Sequence, residues 1–64
     1  MKYPDIKVQL TGQNGNALVL IGLVQKALRR AKVRDDEISL FVEQAMSGDY
    51  DNVLRTCMEW VDVR

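Results

Sequence analysis

Three stretches of the 64-residue chain hold side chains that can do chemistry: Gly12-Gln13-Asn14-Gly15, the basic series Lys26, Arg29, Arg30, Lys32 and Arg34, and Asp49-Tyr50-Asp51 with Cys57 a little further on. A glycine-bracketed turn leading into a helix can offer backbone N–H groups to a phosphate. This one has neither the third glycine of a dinucleotide fingerprint nor the Lys-Ser/Thr of a P-loop, and it follows a strand, whereas the Gly-X-X-Gly of KH domains joins two helices. It reads as a structural turn. Asp49 and Asp51 could approach a hard cation, but a calcium loop needs several more oxygen ligands in order. As an acid and base pair they lack an accompanying nucleophile or set of oxyanion donors, so Asp49 reads as a helix cap. The chain has no histidine and one cysteine. Zinc, haem and Cys/His catalysis therefore lack their ligands, and an internal disulfide lacks its second half. The expectation is a non-catalytic protein with no cofactor and no metal.

The basic series is the densest cluster of one sign. Lys26, Arg29 and Arg30 are three and four residues apart, which puts them on neighbouring positions of a helix, and a basic helical face is one way to meet phosphates. The plainer reading is a cluster that complements a helix C-terminus and pairs with Asp35, Asp36 and Glu37 just beyond it. No aromatic is interleaved for stacking on bases. Cys57 falls on an apolar stripe, where an inert buried thiol is expected. Trp60 has two readings: it stands on the polar face of a small sheet as a binding anchor, or it closes the core at the end of the last helix.

The elements that position these residues follow from hydrophobic period. Ile6, Val8 and Leu10 alternate with Lys7, Gln9 and Thr11, the period of a strand over about 5–11 with one buried face. After the glycine turn, with Asn14 or Asn16 as cap, helix one runs over about 17–31. Its first half is apolar on every side and must be covered from more than one direction, while its second half is amphipathic. Gly22 within it marks a close approach of another backbone. Asp35-Asp36-Glu37 open helix two with three carboxylates at its positive end, and Ile38, Phe41, Val42 and Ala45 form its buried stripe, with Leu40 and Met46 on the margins. Gly48 suits the left-handed position after that helix. Val53, Leu54, Cys57 and Met58 give helix three its apolar face; residues 59–63 could continue that helix or form a strand, and a short strand over about 60–63 is favoured because the monomer offers the first strand no other partner.

At this length there is one domain, residues 1–64, burying only about 60% of the surface of its unfolded chain. Such a small core is commonly supplemented by association, and an apolar fraction of 47% points the same way. A homodimer is expected. No apolar signal core or membrane-length run is present, which predicts a cytoplasmic protein without a membrane role. The net charge is zero, yet residues 1–34 sum to +6 and residues 35–64 to −6, a dipole provided the two halves do not interleave.

Gly15-Asn16-Ala17 opening an apolar helix, Ala27-Leu28-Arg29-Arg30-Ala31 closing it, Ser47-Gly48-Asp49-Tyr50-Asp51 and Met58-Glu59-Trp60-Val61-Asp62-Val63 together resemble a family of very short, uncharacterised bacterial and bacteriophage proteins. The resemblance spans nearly the whole chain. It implies a bacterial or phage origin and a cytoplasmic single-domain protein, and it carries no activity, ligand or catalytic residue. Arg34 departs from it, standing where serine or proline is expected before helix two.

The sequence thus predicts an α+β protein, a compact β-α-α-α-β domain with a central apolar helix and a small two-stranded sheet. The expected function is protein binding through the sheet edge or the surplus apolar surface around Val19, Leu23 and Trp60. The alternative is nucleic-acid binding through Lys26, Arg29, Arg30, Lys32 and Arg34.

Overall fold

Two short apolar stretches from opposite ends of the sequence lie side by side. The computed structural model describes residues 1–64, in the order β1 (Tyr3–Val8), α1 (Ala17–Arg30), α2 (Asp35–Ala45), α3 (Tyr50–Trp60) and β2 (Val61–Val63). The two strands pair in parallel, with Tyr3 opposite Val61, Lys7 opposite Asp62 and Val8 opposite Val63. Pro4, Asp5 and Ile6 fall in the break of register between Tyr3 and Lys7, where a residue without an N–H can be tolerated. The expected α+β arrangement is the observed one, and the alternation holds: Val8 is buried, Ile6 and Leu10 are half-buried, and Lys7, Gln9 and Thr11 are exposed. The first strand begins two residues earlier than its alternation implied because Tyr3 finds a partner in Val61. Regular pairing stops at Val8, after which the N–H groups of Leu10 and Thr11 both donate to the carbonyl of Arg64.

α1 packs on α2, α3 and β1. Asn16 caps it by accepting a bond from the N–H of Leu18 at 2.9 Å, while Asn14 accepts from the N–H of Asn16 and shapes the approach. Leu20, Ile21, Val24 and Leu28 form its buried stripe and join Ile38, Phe41, Ala45, Val53, Cys57, Trp60 and Val61 in the core. One expectation for this helix holds and one is corrected. Its first half is covered from more than one direction, by α2, α3 and β1, although one side is left open, with Leu18 and Val19 exposed. Gly22 lies on that open side, with nothing near the position of a Cβ.

The helix ends also differ from the sequence pattern. α1 closes in a Schellman motif, in which the N–H of Val33 bonds to the carbonyl of Leu28 and that of Lys32 to the carbonyl of Arg29. Lys32 therefore occupies the left-handed position, with φ +63°. Gly48, expected to be left-handed, is not; α2 ends through Met46 with ordinary backbone angles. Gly48 instead eases crowding, because a Cβ there would stand 3.0 Å from the Cβ of Asn52. Arg34 precedes α2 without any side-chain cap and instead pairs with Asp36 at 3.0 Å. The two charged halves of the sequence interleave wherever β1 meets β2, as Lys7 opposite Asp62 illustrates.

A left-handed non-glycine residue costs about 1–2 kcal/mol. Lys32→Gly should therefore stabilise the protein by about 0.5–1 kcal/mol after its added chain entropy is deducted, read as a higher thermal midpoint. In the opposite direction, Phe41→Ala should cost about 3–5 kcal/mol and leave this small domain largely unfolded by circular dichroism.

Candidate functional site

The orientation of α3 decides what the surface offers. The sequence stripe for this helix was Val53, Leu54, Cys57 and Met58, but the residues buried are Val53, Thr56, Cys57 and Trp60. Trp60 is only 3% exposed. Its indole packs edge-on against Phe41, with ring centroids 5.5 Å apart, and lies 6.0 Å from the ring of Tyr3. Its Nε1–H donates to Oε1 of Gln44 at 2.8 Å, which satisfies its one polar atom inside the core. Of its two sequence readings, the core-closing one is the structure's, and the indole presents no anchor to a partner. Turning the Thr56–Trp60 edge inward carries Tyr50, Leu54 and Met58 to the flank.

That flank is part of a continuous apolar strip built from all three helices. Leu18 and Ala17 of α1, Met46 just after α2, and Tyr50 at the start of α3 line a hollow of about 240 Å³. On the other side of Tyr50, Leu54, Met58, Leu10, Leu20 and Val63 line a second hollow of about 300 Å³. Tyr50 is the wall common to both. Leu18 is 66% exposed, Met46 59%, Met58 55% and Tyr50 44%. Met1, Val19 and Leu40 are exposed as well but line neither hollow.

Val19, Leu23 and Trp60 are not brought together. Val19 and Leu23, four apart, share a face of α1 away from the strip; Leu23 is half-buried against the core, and Trp60 lies within it. The strip was partly legible, since the apolar residues of helix three spread over a wider arc than one neighbour covers. The exposure of Leu18 was not legible in an all-apolar stretch.

The basic series is placed differently. Lys26, Arg29, Arg30 and Lys32 are exposed and form no ion pair, while Arg34 is bound to Asp36. The expected neutralisation by the acidic start of α2 is thus confined to one pair. Arg29 faces a groove of about 470 Å³ between α1 and α2, which Gln25, Asp35, Ile38, Ser39 and Val42 also line. Asp49 caps α3, its Oδ1 accepting from the N–H of Asn52 at 3.0 Å. Cys57 is wholly buried and free, and burial pushes its thiol up from its ordinary value.

A polar clamp crosses the outer side of Trp60. Lys2 Nζ lies 4.2 Å from the centroid of the indole and 2.7 Å from Oε1 of Glu37, to which the hydroxyl of Tyr3 also donates at 3.0 Å. The bonds from Lys2 and Tyr3 hold the Glu37 carboxyl below its ordinary value. Burial, then the bond to Glu37, raises that of Tyr3. The clamp ties the start of the chain over the core.

Compared with family models, curated proteins and solved structures, the chain matches none. No helix is long and apolar enough to cross a membrane.

A carboxyl held low in the folded state adds stability above the unfolded carboxyl range, and that contribution disappears as the pH falls through its lowered value. Glu37→Gln should therefore lower the thermal midpoint at neutral pH and leave it unchanged near pH ~2, where both proteins are uncharged at this position. Melts of the two proteins at each pH check this; an equal gap at both would assign the loss to packing.

Proposed function

We propose that this is a non-catalytic protein-binding domain that engages its partner through the strip formed by Leu18, Met46, Tyr50 and Met58. The observation that carries the reading is the contiguity of these four exposed side chains around two adjoining hollows. Single exposed apolar residues are ordinary on any surface, whereas a contiguous patch marks a contact site. Methionine and tyrosine suit such a site, the first because it repacks against varied shapes and the second because it contributes area at little entropic cost. The bacterial or phage origin and cytoplasmic setting implied by the family resemblance belong to the same proposal.

A second reading, nucleic-acid binding, draws support from the four unpaired cations at the end of α1. It is the weaker one because Asp35, which forms no ion pair, lines the same groove as Arg29. A free carboxylate in that groove would repel a phosphate backbone.

The two readings separate by mutation. Leu18→Asp and Met58→Asp should each weaken capture of the protein's partner from its host by about tenfold or more, with Arg29→Glu plus Arg30→Glu without effect. Retention of labelled oligonucleotides that falls steeply with salt and is abolished by the arginine pair would instead establish the second reading.

A further inference from the structure

We propose that the strip takes a peptide segment of a partner protein with two large apolar anchors flanked by lysine or arginine, an inference that rests on the reading of the strip as protein-binding. Two hollows share Tyr50 as their dividing wall, so a single segment crossing Tyr50 places one anchor in each. The charge around them selects the flanks. Glu43 on α2 precedes the C-capping Met46 by three residues, Asp49 lines the first hollow, and Asp51 precedes Leu54 by three residues on α3. Residues three apart on a helix are neighbours, so these carboxylates border the strip. All three are exposed and none forms an ion pair. Arg55 is the single basic residue of α3, which leaves the border net negative.

The same border disfavours the other occupants. Two copies meeting strip to strip about a two-fold axis would oppose like carboxylates around a shared apolar centre. The chain alone is also as compact as a folded monomer of this mass, with an accessible surface of 4234 Å² against about 4,200 Å² expected. A nucleic acid would bring phosphates against those carboxylates. A basic segment gains from them, and its apolar anchors gain from adaptable methionines.

The test is selection of random peptides of about 12 residues displayed on phage, with the full chain as target and Met58→Asp as counter-target. The enriched sequences should share two large apolar positions among lysine and arginine. A synthetic consensus peptide should bind less tightly as salt rises. Its affinity should fall about tenfold or more with Tyr50→Ala or Leu18→Asp, and about threefold or more with Glu43→Lys plus Asp51→Lys. Circular dichroism establishes that each variant is folded; Leu18→Asp replaces Met58→Asp as counter-target if the latter is not. An apolar consensus with neutral or acidic flanks, or one indifferent to Glu43→Lys plus Asp51→Lys, overturns the basic partner and leaves the protein-binding reading standing. No enrichment over the counter-target overturns both. Sedimentation showing a dimer that Met58→Asp dissolves would give the strip to a second copy and likewise overturn the proposal.

Discussion

The burial of one indole organises this molecule. Trp60 is the last residue of α3 and immediately precedes β2, so its placement fixes both the rotation of that helix and the start of the strand that pairs with β1. A tryptophan can enter a core only if its N–H finds an acceptor there, since an unpaired buried donor costs about 1–3 kcal/mol. Gln44, one residue from the end of α2, supplies that acceptor. The backbone carbonyl of the same residue receives the side chains of Ser47 and Asn52. The α2–α3 corner is therefore tied at one residue by three bonds, and a Cβ at position 48 would crowd the side chain of Asn52 that makes one of them.

The consequence reaches the surface through helical geometry. Once Thr56 and Trp60 face inward, Leu54 and Met58 cannot, because a helix has only one side toward its neighbours. The strip around Tyr50 is thus the complement of the core, made by the same rotation. Fold and candidate site are one arrangement seen from two sides, and the exposure of Met58 follows from a tryptophan with which it shares no hollow.

The basic end of α1 has a different origin. Its cations sit where the helix dipole favours them, and the chain then turns through a left-handed lysine into the uncapped start of α2. A glycine at position 32 and a serine at 34 would suit the local backbone better. Two positively charged residues stand there, at some conformational cost. This local conflict stands beside four cations that form no ion pair.

Much of the architecture was legible in the chain itself. The period of two in Ile6, Val8 and Leu10, the Asn16 and Asp49 caps, the acidic opening of α2 and the need of each lone strand for a partner are local or pairwise constraints, and they determine a β-α-α-α-β order with terminal strands adjacent. Tertiary packing alone decided the parallel register, the side on which the all-apolar start of α1 is left open, the left-handed turn at Lys32 rather than Gly48, and the fate of Trp60. A hydrophobic arc wider than its neighbours can cover does not say which part will be covered. That choice belongs to the shape and hydrogen-bonding needs of the largest side chain, and here it sent Trp60 inward and left Tyr50, Leu54 and Met58 on the flank.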